Sequence, residues 1–233
     1  MRVKNEERYI ARAIQSILPL NGKIIVLDDG STDSTPNILS SFDGLDYYRQ
    51  DDLPMDEGRD RTFIYKKALE IEPGWVFTLD GDEVLDSVTP DRMLRAIERC
   101  PDSVNVFEMY LGVMWGGKSW RGPRSAWWMA RMFRVRDAVE DYEFTSDYGN
   151  NLHCGCVPEM RVYHREKLNA WIKYFGYECH SAVEKKLAFY KEHDPEHYPA
   201  IVKREAKRAR MGFRDWVEGL DAREIGIHGT VIY

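Results

Sequence analysis

The sequence predicts an α/β fold built on a doubly wound, mostly parallel sheet. Three observations lead to this prediction. Within the first 90 residues, short apolar runs rich in β-branched residues alternate with segments of helical periodicity. Such runs suit strands that are covered on both faces, as in parallel sheets. Two of the runs end in acidic loops, at the position where sheets of this kind bind their ligands.

The first predicted element is an amphipathic helix from residue 6 to residue 18. Asn5 stands before it as an N-cap, and Glu6 and Glu7 occupy the first turn, where the helix dipole favours acids. Only residues 1–4 remain for a preceding strand, so we expect either a short first strand or a numbered chain that starts late. The apolar residues at helical spacing are Ile10, Ala13, Ile14, Ile17 and Leu18.

Two strand and helix units follow. Residues 23–27 form a predicted strand, and after an acidic loop a helix begins with Thr35 as N-cap and Pro36 as its first residue, reaching about Leu39. The remaining elements predicted in this half are a strand at 45–48, a helix at 59–70 and a buried strand at 75–79. The order of strands and helices is that of a doubly wound α/β layer.

The second half shows a less regular pattern. Without an internal repeat or a low-complexity linker, we expect residues 1–233 to form one domain, with a subdomain boundary near residue 100. The predicted elements are strands at 104–111 and 128–135, a loop at 116–123, and helices at 182–190 and 201–216.

Composition excludes several classes of protein. With 33 Lys and Arg against 39 Asp and Glu, the net charge is −6, which argues against a dedicated nucleic-acid binder. Apolar runs reach only four or five residues, far short of the roughly 20 that span a bilayer. Four unevenly spaced cysteines and a charged start without a signal peptide predict a reducing, cytoplasmic location.

Two acidic loops carry the candidate chemistry. Asp80 and Asp82, with Glu83 beside them, follow a predicted strand and offer the hard oxygen ligands that Mg²⁺ and Mn²⁺ prefer. Taken alone, two aspartates around a glycine are also typical of a polar turn. The loop at 28–33 ends the other strand next to a helix N-terminus, which favours anions, and its acidic side chains can accept hydrogen bonds from a base and a ribose.

Three ordered motifs resemble a known family. The segments Arg2-Val-Lys-Asn-Glu-Glu, Val26 to Asp33 and Trp75 to Glu83 are similar to successive signatures of family 2 glycosyltransferases, which have the Rossmann-like GT-A fold. The resemblance is close over residues 1–90 and looser beyond. The later landmarks are Arg131 to Arg134, Leu152-His153, Phe175-Gly176-Tyr177, Lys185-Lys186 and Phe189-Tyr190.

The resemblance implies a metal-dependent, inverting transferase of a hexosyl or related group. Residues 1–100 would bind the nucleotide-sugar, and residues 101–233 would form an acceptor-side half with C-terminal helices. Mn²⁺ or Mg²⁺ would bind Asp80 and Asp82, and the acceptor hydroxyl would belong to a glycan, a lipid or a protein. The residues expected to contact the donor are Asp28, Asp29, Arg59, Asp60, Arg61 and Asp80. Arg59 and Arg61 open a predicted helix and either contact phosphates or form a solvated, salt-bridged first turn, and Asp60 either faces the ribose or holds an arginine.

Two departures from the family pattern affect these expectations. Where relatives often have a histidine as a third metal contact, this chain has Tyr174, so His153, His164 and His180 compete for that role, and we select His180. Many relatives have a glutamate after the later histidine, whereas here Cys154 follows His153. For the general base we therefore select Asp141 or Glu140, in an acid-rich segment that otherwise forms an exposed loop.

Other interpretations stay open. A nucleotide-sugar-binding module without turnover explains the departures, and a haloacid-dehalogenase-type phosphohydrolase also places Asp-x-Asp after a strand, although it leaves the first acidic loop unexplained. Residues 153–156 suggest zinc but lack a second pair of ligands at zinc spacing. The basic helix at 201–216 binds an anionic membrane or packs on its own domain. Tryptophans that stack on a sugar or pack in the core are Trp115, Trp120, Trp127 and Trp128.

Overall fold

The computed structural model describes residues 1–51, 53–115, 119–120, 127–146 and 152–202. Its contacts divide the chain into two units. The first comprises Met1–Tyr110 and Trp128–Ile172, and the second comprises Leu111–Trp127 and Lys173–Tyr233. Both acidic loops belong to the first unit.

A three-stranded parallel sheet forms one part of the first unit. Its strands are β1 (Arg2–Val3), β2 (Ile24–Asp29) and β3 (Leu45–Gln50), in the order β1-β2-β3. Helices α1 (Ile10–Ile17) and α2 (Thr35–Ser40) contribute apolar side chains to its core. The predicted α/β fold of GT-A type is confirmed.

Helix α3 (Glu57–Leu69) begins two residues before the predicted start. Asp56 is its N-cap, and the side chain of Asp56 accepts a hydrogen bond from the amide of Arg59 at 2.9 Å. This bond satisfies one of the free amides of the first turn. It fixes the chain direction just ahead of Asp60 and Arg61.

A second sheet runs in the order β4-β8-β6-β9-β5, and β7 pairs with β6. Strand β4 was predicted to extend the parallel layer, but it pairs antiparallel with β8, with Val76 opposite Phe133. Apolar periodicity identifies a buried strand without specifying its neighbour. These strands are β4 (Trp75–Phe77), β5 (Glu83–Leu85), β6 (Val106–Trp115), β7 (Ser119–Trp120), β8 (Trp127–Arg134) and β9 (Arg165–Tyr174).

Helix α1 begins at Ile10, not at Glu6, and Asn5 is not its N-cap. Asn5 has a φ of 56° and its side-chain oxygen accepts from the amide of Thr32 at 2.8 Å. Glu7 likewise accepts from the amide of Ser34 at 3.0 Å. Both side chains therefore hold the loop after β2 instead of capping their own helix.

The remaining helices are α4 (Thr89–Arg99), which the sequence did not predict, and α5 (His180–His193) in the second unit. Of the predicted helix at 201–216 only residues 201 and 202 are described, and both are helical. Most of the predicted loop at 116–123 also lies outside the described residues. Within the part of the chain described, no helix has the length and apolar character needed to cross a bilayer.

Candidate active site

Asp28 and Asp29 end β2 with their side chains buried. Asp28 accepts from the amide of Ser31 at 2.8 Å, from the Tyr47 hydroxyl at 3.0 Å and from Arg49 at 3.0 Å. These bonds close the turn that follows the strand. The Asp28 carboxylate therefore stabilises the shape of the first acidic loop.

Asp29 belongs to a network that crosses the parallel sheet. Its carboxylate accepts from Arg2 on β1 at 2.6 Å and from Gln50 at the end of β3 at 3.2 Å. Asp60 on α3, fully buried, accepts from the same two residues at 2.7 Å and 2.6 Å. Arg59, about one third exposed, completes the network with bonds to Asp60 of 2.7 and 2.9 Å.

Asp80 follows β4, and its carboxylate lies between two arginines. Arg61 contacts one oxygen at 3.1 Å, and Arg131 contacts the other at 3.4 Å. Arg131, only 2% exposed, also donates to Glu83 at 2.5 Å. The other oxygen of Glu83 accepts from the amide of Asp80 at 3.0 Å, so the turn from Asp80 to Glu83 closes on itself.

The two acids titrate in opposite directions. Burial, with a smaller contribution from the nearby charges of Asp80 and Asp82, raises the pKa of Glu83 to about 7 against the opposing charge of Arg131. Burial opposes the ionised form of Asp80 as well, but Arg61 and Arg131 outweigh it and hold the pKa of Asp80 well below its ordinary value. Asp80 is therefore the carboxylate that keeps its charge at neutral pH.

Consecutive residues of α3 link the two acidic loops. Asp60 joins the network of Asp29 through Arg2, and Arg61 contacts Asp80. The turn after β4 also packs on the segment after β1, because a Cβ on Gly81 would lie 2.8 Å from Cγ of Glu6. The structure therefore brings the ends of β2 and β4 to one edge of the first unit, although the two strands belong to different sheets.

Two buried donors in this array lack partners. Nε of Arg61 and Nε of Arg131 are buried, and neither has a hydrogen-bond acceptor within the described residues. A buried donor without an acceptor carries a desolvation penalty of about 1–3 kcal/mol. An anionic oxygen bound next to these arginines would remove that penalty.

The residues selected as general base lie in an exposed turn. Glu140 and Asp141 follow a short 3₁₀ turn, Val135–Asp137. In the described part of the chain, neither carboxylate makes a hydrogen bond or an ion pair. Glu140 does act electrostatically on Tyr65 of α3, whose hydroxyl donates to the carbonyl of Val139 at 2.8 Å.

The third metal ligand stays a prediction. The backbone of His180 begins α5, and its side chain lies outside the described residues. Among the described residues, no group of three His, Cys, Asp or Glu side chains is placed to hold a metal ion. The metal-binding role of Asp80 and Asp82 likewise stays a prediction.

The zinc interpretation gains no support from the cysteines. Cys154 is buried, and burial raises the pKa of its thiol to about 12. Among the described residues, no third His, Cys, Asp or Glu side chain joins the two cysteines as a metal ligand. Cys156 lies in the same turn, and both thiols are free of disulfides.

Sequence reasoning missed Arg2 and Gln50 as members of the site. A signal was available, because a buried carboxylate needs partners and neighbouring strands supply them at the same height. In the sheet register Val3 lies opposite Asp28, and Asp29 lies opposite Gln50. Polar residues at the ends of β1 and β3 are therefore the natural partners of the acids on β2.

Comparison with known proteins identifies a family and distant similarities. The model of glycosyl transferase family 2 matches residues 1–171. Two uncharacterized proteins, from Mycobacterium bovis and Mycobacterium tuberculosis, are each 30% identical over 111 residues. These matches span 44% of this chain but only 26% of the length of each relative.

The solved structures to which the chain is similar include two with bound UDP. Residues 1–349 of S. aureus TarS in complex with UDP are 16% identical, with 96% of this chain and 75% of that chain covered and a TM-score of 0.49. Glucosyl-3-phosphoglycerate synthase from Mycobacterium tuberculosis, with Mn²⁺, UDP and glucosyl-3-phosphoglycerate, is 22% identical, with 47% and 42% covered and a TM-score of 0.36.

Proposed function

The chain belongs to glycosyl transferase family 2, and on this premise we propose that it transfers a sugar from a nucleotide diphosphate sugar to an acceptor hydroxyl. The observation that carries the proposal is the pair of acidic loops linked by Asp60 and Arg61. One loop offers hydrogen-bond acceptors for a nucleoside. The other combines carboxylates with arginines, which suits a diphosphate with a bound cation.

The residues fit a divalent cation. Asp80 and Asp82 are hard oxygen donors, Asp80 is 30% exposed, and the oxygens of a diphosphate would supply further ligands. The unpaired donors on Arg61 and Arg131 also favour an anion at this place. When bound, the cation would neutralise charge that develops on the nucleotide diphosphate as the glycosidic bond breaks.

The chain's own side chains would divide the remaining work. Arg59, about one third exposed, would contact the base and ribose, held in place by the buried carboxylates of Asp29 and Asp60, while Asp28 keeps their loop in shape. Arg61 would contact the diphosphate. An acceptor hydroxyl would attack the anomeric carbon in line with the departing diphosphate and lose its proton to a carboxylate, which gives inversion in a single step.

A panel of nucleoside diphosphates, titrated by calorimetry with Mn²⁺ and with EDTA, tests the donor half of this proposal. We expect Mn²⁺ to strengthen binding by at least tenfold, because two carboxylates and a diphosphate repel one another without a cation. Asp82→Asn should remove most of this gain. Asp102→Asn, a matched change of an aspartate that is 87% exposed, should leave it unchanged.

Equal affinity with EDTA and with Mn²⁺ would contradict the metal assignment. Turnover distinguishes an enzyme from a binding module, the alternative suggested by Cys154 in place of a glutamate. Turnover is measured as the release of nucleoside diphosphate from the nucleotide-sugar that binds most tightly. Donor binding without release or transfer would favour the binding module.

A further inference from the structure

A groove of about 360 Å³ lies in the first unit between helix α4 and strand β9. It is separate from the candidate active site, because none of the residues that line it belongs to either acidic loop. Helix α4 contributes three arginines to its lining, and β9 contributes Glu166 and Asn169. Phe107 and Leu168 add apolar surface. The groove therefore has the size of a small-molecule site and offers both charged and apolar contacts.

The three arginines form one ridge along α4. Arg92, Arg95 and Arg99 are three and four residues apart, so their side chains lie on the same side of the helix, where like charges repel one another. Arg95 and Arg99 are exposed, and in the described part of the chain neither makes a hydrogen bond or an ion pair. The exposed acids of α4, Asp91 and Glu98, form no ion pair there either. Side-chain contacts therefore leave the positive charge of this ridge uncompensated.

A hydrogen bond holds the two walls of the groove together. Nη1 of Arg92 donates to the backbone carbonyl of Asn169 at 2.8 Å, which leaves the other N–H donors of this guanidinium for a ligand. On the strand wall, Glu166 and Asn169 are exposed. Within the described residues, the Glu166 carboxylate forms no ion pair with the arginines, and the side-chain amide of Asn169 makes no hydrogen bond. The groove thus carries cations on its helical wall and unpaired polar groups on its strand wall.

We propose that this groove binds a phosphorylated sugar. A phosphate monoester carries nearly two negative charges at neutral pH and has three strong acceptor oxygens. Guanidinium groups bind phosphate through paired, charge-assisted hydrogen bonds. Arg95 and Arg99 suit this contact, because their donors have no acceptor in the described part of the chain. Arg92 adds a third cation while it stays bonded to β9, so a bound phosphate would relieve the repulsion along α4.

The strand wall favours a sugar phosphate over a bare anion. The carboxylate of Glu166 would repel inorganic phosphate, but it can accept hydrogen bonds from hydroxyl groups. The side-chain amide of Asn169 offers both donors and an acceptor. Leu168, half-buried, provides apolar surface for the C–H groups of a sugar ring. A ligand with a phosphate at one end and hydroxyl groups at the other would therefore use both walls.

Calorimetric titration of the intact chain tests the proposal, with glucose 6-phosphate as the probe. Glucose and inorganic phosphate are titrated separately, and we expect each to bind about tenfold more weakly or less, because each lacks the hydrogen bonds to one wall. The affinity for glucose 6-phosphate should fall as salt is added, since salt screens exposed charges. UDP with Mn²⁺ should not displace the probe, because the groove lies outside the candidate active site.

Matched variants locate the binding. Arg95→Gln combined with Arg99→Gln should weaken the binding of glucose 6-phosphate by about tenfold or more, because charge-assisted hydrogen bonds are lost. Arg136→Gln, at an arginine that is 54% exposed and does not line the groove, should leave the affinity unchanged. The melting temperature without ligand shows whether each variant is folded. If the double variant is not, the two single variants take its place.

Four outcomes would overturn the proposal. Unchanged affinity in the variants of Arg95 and Arg99 would place the binding elsewhere. Equal affinity for inorganic phosphate would show a site for anions in general. Displacement of the probe by UDP with Mn²⁺ would assign it to the candidate active site. Failure of glucose 6-phosphate to bind would also overturn it, and binding of vesicles made of equal parts phosphatidylglycerol and phosphatidylcholine would then show that the ridge contacts an anionic membrane.

Discussion

Asp60 illustrates how a single residue holds a charge inside the protein. Its carboxylate is fully buried and is surrounded by donors from Arg2, Gln50 and Arg59. We expect Asp60→Ala to lower the free energy of unfolding by about 3 kcal/mol, because removing one partner leaves buried cationic groups uncompensated. Urea denaturation measures the change.

The matched control is an exposed ion pair on the same helix. Glu70→Ala removes the contact with Lys67 at 2.7 Å, and Glu70 is 60% exposed. Exposed pairs contribute about 0.2–1 kcal/mol, so this variant should unfold almost like the parent. Similar losses for the two variants would show that burial does not determine the importance of Asp60.

The contact between His197 and Asp194 makes the stability of the folded protein depend on pH. Its ring contacts the buried carboxylate of Asp194 at 2.8 Å, and this hydrogen bond and the charge of Asp194 raise the pKa of His197 above 6.5. The folded state then holds the proton more tightly than the unfolded chain. The resulting stability is present below pH 6.5 and is lost as the pH rises through the higher pKa of the folded state.

We therefore expect His197→Gln to destabilise the protein more at pH 5.5 than at pH 8.5. Thermal unfolding of both proteins at the two pH values measures the difference. An equal loss at both would mean that the proton on His197 contributes nothing to the fold.

At the scale of elements, the contact between α3 and the loop at Phe144 depends on Gly58. In an ordinary helix, replacing glycine with alanine stabilises by about 1 kcal/mol. Here a Cβ would collide with the carbonyl oxygen of Phe144, so we expect Gly58→Ala to destabilise by about 1–3 kcal/mol. Urea denaturation shows the sign.

Gly22→Ala provides the control, because nothing lies within 4 Å of the added carbon there and the residue is exposed. It should change stability little. A stabilised Gly58→Ala variant would show that the loop at Phe144 moves aside at low cost.

Several helices and strands lie where the sequence predicts them, whereas the pairing of the strands differs. The bounds of helix α3 and of strands β2 and β4 were predicted within a few residues, because the apolar pattern that identifies each element lies within the element's own sequence. The pairing of β4 with β8 was not predictable, since the two strands are 50 residues or more apart and periodicity carries no information about partners. The predicted start of α1 was wrong because the side chains of Asn5 and Glu7 accept hydrogen bonds from the amides of Thr32 and Ser34 in the neighbouring loop instead of from their own helix.

In the whole molecule, the convergence of Asp29 and Asp80 was predicted from a single parallel layer, but β2 and β4 lie in different sheets, and α3 links the two loops through Asp60 and Arg61. Several of the side chains that bond to these acids were not predicted. The bonds of Arg2 and Gln50 to Asp60, and of Arg131 to Glu83, connect residues that are distant in the chain. Arg59 and Arg61 were predicted together with the acids, because they open the helix beside the same strand ends, whereas Arg2, Gln50 and Arg131 become visible as partners only when the sheet register and the direction of α3 are known.

The general base would remove the proton of the acceptor hydroxyl, and Asp141 and Glu140 are the candidates for this role. We expect Asp141→Asn or Glu140→Gln to lower turnover by about 100-fold or more, because general-base catalysis typically contributes about 10²–10⁴. Donor affinity should stay nearly constant, since the acids near Asp80 are untouched. Release of the nucleoside diphosphate and calorimetric titration of the donor measure the two quantities.

Glu143→Gln is the matched control for this experiment. It lies in the same turn, is 74% exposed and contacts Lys66 at 3.5 Å, so it shares the exposure of the candidates without being assigned the role. Equal losses in all three variants would indicate a general effect of charge in the loop. Full turnover in Asp141→Asn and in Glu140→Gln would contradict both assignments. The role would then move to Glu159, which is exposed, or to Asp147, which lies outside the described residues, because an inverting attack still requires an acceptor for the hydroxyl proton.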